Sequence, residues 1–173
     1  ATDGNHGKGV AWAAKELGQK AVIYLPKGSS QERLRDIRNE GAHAEITDLN
    51  YDDTVRMCEK FARENGWGMI QDTGWEGYDA IPLSIMQGYG GIAREIMIEL
   101  ERQDEDPPTH IFLQAGVGSF AAAIAACFQQ YYRKRPPKVI LVEADAADCY
   151  YRSFSNEDGA AASVTGDLNT IMA

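Results

Sequence analysis

The chain has 173 residues, enough for one ordinary domain or two small lobes. Hydrophobic residues make up 44% and charged residues 25%, the balance of a globular protein, and the formal net charge is −9. That acidity, with Arg133-Lys134-Arg135 as the one basic run, argues against a nucleic-acid partner, and no apolar run approaches the ~20 residues of a membrane span. No secretory leader pattern is visible. Cys58, Cys127 and Cys149 lie far apart without metal-ligand spacing, so they are expected as reduced thiols in the cytoplasm. The chain has no initiator methionine and opens inside a glycine-rich stretch, so it is expected to be part of a longer polypeptide.

Ala1-Thr2-Asp3-Gly4-Asn5-His6-Gly7 runs directly into Val10-Ala11-Trp12-Ala13-Ala14-Lys15-Glu16-Leu17, whose apolar spacing is helical. A tight turn there would deliver a helix N-terminus, where unpaired N–H groups attract a carboxylate or a phosphate. Asn5 and His6 would turn polar groups toward the rest of a ligand. The same residues also suit an ordinary glycine-rich turn capped by Asp3 or Asn5, and spacing alone leaves both open.

Gly18 closes the first helix, and residues 21–25 form an apolar run of strand length, continuous enough for burial on both faces. After a turn, Ser29 or Ser30 caps a helix over 31–39 that Gly41 ends. A strand over 42–47, a helix over 52–64 and a third strand over 68–71 follow. This strand–helix alternation predicts an α/β fold with parallel sheet and helices on its faces, ligands gathering at the carboxyl ends of strands. Residues 72–78 are irregular and aromatic-rich. Pro82 opens a helix to about 101, residues 109–114 form another buried strand, and an alanine-rich helix covers 120–132. A last strand over 139–143 and a short helix over 146–151 precede a glycine- and serine-rich end.

Ala115-Gly116-Val117-Gly118-Ser119, between a strand and a helix, is the second candidate site. Its two glycines let successive N–H groups converge beside a helix pole, which suits a phosphate. It is neither a Walker A loop nor a full dinucleotide fingerprint, because the lysine of the one and the third glycine of the other are missing. Gly88, Gly90 and Gly91 lie inside the long helix, where close helix packing explains them. His43 and His110 sit in strand contexts and are expected to be structural, while Glu143 ends a strand and faces either a ligand or solvent.

Thr2-Asp3-Gly4-Asn5-His6-Gly7 resembles the asparagine loop of fold-type-II (tryptophan synthase beta-like) pyridoxal-phosphate enzymes, where dehydratases carry Ser-Ala-Gly-Asn-His. Gly88-Tyr89-Gly90-Gly91-Ile92-Ala93-Arg94-Glu95-Ile96 and the loop at 115–119 are similar to that superfamily in the same order. Asp3, Gln71-Asp72-Thr73, Trp75-Glu76-Gly77-Tyr78, Ala147-Asp148-Cys149 and the closing Gly166-Asp167 with Thr170-Ile171-Met172-Ala173 resemble its diaminopropionate ammonia-lyase family in particular.

The resemblance implies a small lobe over 1–79 bearing the asparagine loop, and part of a large lobe over 80–173 bearing the phosphate loop. It implies pyridoxal 5′-phosphate as cofactor and α,β-elimination of 2,3-diaminopropionate to pyruvate and ammonia. Asn5 would hydrogen-bond the pyridoxal 3′-oxygen; Thr2, Asp3, Gly4, Asn5 and His6 would contact the substrate; Ala115, Gly116, Val117, Gly118 and Ser119 would hold the phosphate. Asp3 and Asp72 would be the catalytic groups, serving the β-amine and the second proton transfer. Dehydratases have a small neutral residue where Asp3 stands, and a carboxylate there suits a substrate with a second positive charge. The family's cofactor-bearing lysine lies upstream of the asparagine loop, so Lys8 is not that residue, and this stretch alone is expected to be inactive. A small amino-acid substrate, a homodimeric parent, a cytoplasmic setting and no nucleic-acid or membrane partner complete the expectation. A serine/threonine-type dehydratase and, for this stretch alone, a non-catalytic anion-binding lobe are the alternatives.

Overall fold

The computed structural model describes residues 1–2 and 4–162. They fall into two compact units that divide after Gln71, and each is taken by itself.

In the first unit, α1 (Asn5–Glu16), α2 (Gln31–Asn39) and α3 (Tyr51–Asn65) accompany β1 (Val22–Leu25) and β2 (His43–Ile46). The strands pair in parallel, Val22 opposite His43 and Leu25 opposite Ile46. Ala11 of α1, Leu34 and Ile37 of α2, and Ile23, Leu25, Ala42 and Ala44 of the sheet region make the buried core. Alternate residues of β1 meet different neighbours: Ile23 and Leu25 enter that core, while Tyr24 turns its ring edge to Phe61 of α3. The strand is therefore fully buried on one face and half-buried on the other, not buried on both as its apolar run suggests.

Ser30 caps α2 by accepting from the Arg33 N–H, and Asn50 caps α3 by accepting from the Asp53 N–H at 2.8 Å. Both caps satisfy an amide that has no partner within its helix. The strand expected over 68–71 does not form. The carbonyl of Ile70 accepts instead from His6 Nε2 at 3.1 Å, and Gln71 is fully buried in side-chain hydrogen bonds, so this backbone is committed elsewhere than a ladder.

The second unit holds α4 (Ala80–Arg102), β3 (His110–Gln114), α5 (Ser119–Tyr131), β4 (Lys138–Val142), a 3₁₀ turn (Asp145–Ala147) and α6 (Cys149–Ser155). β3 and β4 are parallel, with Leu113 opposite Leu141. Ala93 and Met97 of α4 pack with Leu113, Ala115, Ala121, Ile124 and Phe128. Residues 90, 93 and 97 share one helical face, and a Cβ on Gly90 would come 3.5 Å from Cys127 Sγ of α5. Gly88 and Gly91 have no such neighbour, so the close-packing expectation holds for Gly90 alone. β3 is not buried on both faces either: Leu113 faces the core, but Phe112 is 67% exposed because α5 covers one face only among the described residues.

Candidate functional site

The opening loop is built on Thr2, which is buried and whose N–H donates to the Tyr24 carbonyl of β1 at 3.1 Å. Its hydroxyl oxygen accepts from the N–H of Gly4 at 3.1 Å and of Gly7 at 2.9 Å. Thr2 thus caps the start of α1 among the described residues, where the sequence offered Asp3 or Asn5; Asn5 is instead the first residue of the helix. The Gly4 position at φ 154 precedes the helix without any side-chain cap of its own. Gly7 is required for a different reason: a Cβ there would lie 2.2 Å from Thr2 Cγ2 and 3.1 Å from Ile23 Cγ2. The threonine side chain occupies the space a larger residue would need.

With Gly7 bound to Thr2 and the Lys8 N–H bound to the Gly4 carbonyl at 2.9 Å, the N–H groups of Asn5 and His6 have no acceptor among the described residues. They stand at the positive pole of α1, the arrangement that receives a carboxylate. The Asn5 side chain is exposed and makes no hydrogen bond among the described residues. His6 is fixed: its Nε2 donates to Ile70 O at 3.1 Å. Asp3 lies outside the described residues. Lys8 reaches the Asp36 carboxylate at 3.4 Å on the exposed surface.

Sequence reasoning did not find the support beneath this loop. Gln71 is fully buried; its Oε1 accepts from the Ala1 amino group at 3.0 Å and its Nε2 donates to Tyr51 Oη at 2.9 Å. The one available signal was an amide ending the apolar run Met69-Ile70-Gln71, where a buried polar group has to be matched.

In the second unit, Ala115 is anchored by its N–H to the Val142 carbonyl at 3.0 Å, and residues 116–118 bend into α5. Gly118 adopts φ 88, in the left-handed region where a side chain is strained. Ala122 makes the first bond back to Gly118 O at 2.9 Å. Among the described residues, the N–H groups of residues 116 to 121 have no acceptor, and no acidic residue stands in the first turn of α5. A loop of unmatched donors at a helix pole, with small residues Gly116, Gly118 and Ala121 around it, fits a phosphate dianion. The donors of Gly116, Val117, Gly118 and Ser119 fit the phosphate of pyridoxal 5′-phosphate, whereas the Ala115 N–H, expected to join them, is already taken by Val142.

Asp72 opens the second unit half-buried, on a bend and not at a strand end as expected, since the preceding strand is absent. Burial first, and then the Asp72 charge, push the Tyr89 phenol above its ordinary pKa. Tyr89 meets Phe120, in the first turn of α5, edge-to-face at 5.4 Å. Thr73 Oγ1 beside Asp72 is buried and has no partner among the described residues. Glu143, left open between ligand and solvent, does neither: Oε1 accepts from the Tyr150 N–H at 2.9 Å and Oε2 from the Tyr151 N–H at 2.8 Å, capping α6. No cluster of three or more potential metal ligands occurs among the described residues, and no described helix is long and apolar enough to cross a membrane.

Known proteins match this chain along its length. The family model "Pyridoxal-phosphate dependent enzyme" matches residues 1–172. Diaminopropionate ammonia-lyase of Salmonella typhimurium is 51% identical over 173 residues, all of this chain and 43% of that protein. The crystal structure of holo diaminopropionate ammonia lyase from Escherichia coli superposes with a TM-score of 0.89 at 48% identity, covering 96% of this chain and 42% of that one. Mitochondrial threonine dehydratase of Schizosaccharomyces pombe is more distant, 29% identical over 156 residues, 89% of this chain and 24% of that protein. The chain thus spans less than half the length of these relatives.

Proposed function

Since the chain belongs to the pyridoxal-phosphate dependent enzyme family, we propose that its whole protein eliminates the β-amino group of 2,3-diaminopropionate, giving pyruvate and ammonia. The observation that carries this is the 51% identity to a diaminopropionate ammonia-lyase along all 173 residues, against 29% to a threonine dehydratase.

Pyridoxal 5′-phosphate, when bound, supplies an electron sink for the α-carbon once its proton has left. The protein's own part is to bind, orient and move protons. The free N–H groups of residues 116–121 hold the phosphate and fix the cofactor's position. The Asn5 amide hydrogen-bonds the cofactor's 3′-oxygen. The N–H groups of Asn5 and His6, with Gly4 and the Thr2 hydroxyl proton, receive the substrate carboxylate. Thr2 has that proton to give because both of its lone pairs are already taken by backbone amides. His6 itself shapes the loop through Ile70.

In sequence Asp3 stands between Thr2 and Gly4, two of the residues read as receiving the carboxylate. There it steadies the substrate's β-ammonium group, or takes the α-proton of one enantiomer as general base. Asp72 serves the second proton transfer. The net chemistry adds one water and releases two ammonia molecules per pyruvate: the α-carbon gives up a proton, the β-ammonium departs as ammonia, and the β-carbon gains a proton to become the methyl group of pyruvate.

The free amino acid as substrate, amino-acid catabolism, a cytoplasmic location and a homodimer belong to the same proposal. The three free thiols support a reducing compartment, and sedimentation of the full-length protein tests the dimer.

The deciding experiment measures pyruvate release by the full-length protein from both enantiomers of 2,3-diaminopropionate, from serine and from threonine. At least about tenfold higher kcat/KM on diaminopropionate than on serine is expected, a difference of about 1.4 kcal/mol in transition-state binding. Faster elimination from serine or threonine would overturn the assignment.

A further inference from the structure

The loop that holds the phosphate is shaped from behind by α6. Tyr150 Oη donates to the Val117 carbonyl at 3.3 Å. Its phenol also lies against Gly118, where a Cβ would come within 1.5 Å of the hydroxyl oxygen and 2.4 Å of Cζ. The left-handed Gly118 is thus demanded twice, by its backbone angle and by the ring beside it. Glu143 sets where that ring begins: each of its carboxylate oxygens takes one amide of α6, Tyr150 at 2.9 Å and Tyr151 at 2.8 Å. The Cys149 thiol lies 3.7 Å from the Gly116 carbonyl and 3.5 Å from Glu143, but with a single proton it serves one of them at a time. The phenol is the dependable donor.

A peptide unit is planar, and its C=O and N–H point to opposite sides. Holding the Val117 carbonyl against Tyr150 therefore turns the Gly118 N–H to the other side of the loop, among the unmatched donors. Burial, followed by the charges of Cys149 and Glu143, pushes the Tyr150 phenol above its ordinary pKa, so it keeps its proton to donate at neutral pH.

We propose that Tyr150, carried on the Glu143-capped start of α6, is a positioning residue that fixes the Val117 carbonyl and aims the loop's N–H groups at the cofactor phosphate. This rests on the reading of residues 115–119 as the phosphate loop. Tyr150 itself contacts the loop and acts through it.

The test uses two probes that differ in the phosphate alone, pyridoxal 5′-phosphate and pyridoxal, titrated into the full-length protein cleared of cofactor, with dissociation constants read by fluorescence. Tyr150→Phe keeps the ring in place and removes the hydroxyl; Glu143→Gln weakens the cap and leaves the ring free to shift. Both variants are expected to lose about three- to tenfold in affinity for pyridoxal 5′-phosphate and nothing for pyridoxal, the scale of one hydrogen bond. Equal losses for both probes would mean that α6 only stabilises the fold, and unchanged affinities would mean that the hydroxyl aims nothing; either overturns the proposal. A wild-type protein that binds both probes equally would remove the phosphate-loop reading itself and the proposal with it. A wild-type preference for the phosphorylated probe that is undiminished in both variants would overturn the role of Tyr150 alone.

Discussion

The opening loop turns on two residues that need each other. Thr2 supplies an oxygen to two amides, and Gly7 leaves room for the methyl group that comes with it. A Cβ at Gly7 would overlap Thr2 Cγ2 at 2.2 Å, a separation no packing tolerates. Gly7→Ala is therefore expected to cost about 1–3 kcal/mol, as overpacking does. Thr2→Ser keeps the hydroxyl and deletes Cγ2, so combining it with Gly7→Ala should recover part of the loss. The nearest remaining contacts would then be Thr2 Cβ at 3.0 Å and Ile23 Cγ2 at 3.1 Å. Urea denaturation of the four proteins in the full-length background measures this coupling. Strictly additive losses would show that Thr2 does not occupy the space in question.

At the level of elements, α4 and α5 meet over small residues. The Gly90 contact of 3.5 Å to Cys127 Sγ is ordinary van der Waals distance. Gly90→Ala should fit and gain up to about 1 kcal/mol of helix propensity, whereas Gly90→Leu should lose about 1–3 kcal/mol by forcing the helices apart. Thermal unfolding of the two variants separates these outcomes; equal effects would mean the helices do not approach at this position. The helices were readable in the sequence because their signals are local: periodic apolar faces, Ser29 or Ser30 as a cap for α2, alternation with short apolar runs. The stretch at 68–71 was not, because an apolar run becomes a strand only when a neighbouring strand takes its backbone groups. Here His6 takes the Ile70 carbonyl and Gln71 is drawn into contact with Tyr51. The same limit applies to the site. Glycine loops at strand–helix junctions announce themselves, but Thr2 as a cap, Gln71 as a prop and Tyr150 behind Gly118 depend on which distant residues fold against them.

For the whole molecule, the question is what would separate an ammonia-lyase from a dehydratase, since the chain is similar to both. The proposed difference is charge. At neutral pH diaminopropionate carries a β-ammonium group where serine carries a neutral hydroxyl. A carboxylate beside a carboxylate-binding loop repels a substrate of the second kind and offsets the extra charge of the first. Asp3→Asn in the full-length protein should therefore reduce kcat/KM for diaminopropionate much more than for serine, and so narrow the selectivity between them. If Asp3 also removes the α-proton of one enantiomer, kcat for that enantiomer should fall about 100-fold or more, the usual contribution of a general base. The dissociation constant for pyridoxal 5′-phosphate should stay within about threefold, because the proposed phosphate donors are at residues 116–119 and do not include Asp3. Steady-state kinetics on both enantiomers and on serine, with a cofactor titration alongside, reads all three quantities. Unchanged turnover with both enantiomers would remove Asp3 from the mechanism, and equal losses on diaminopropionate and serine would remove charge as the basis of selectivity.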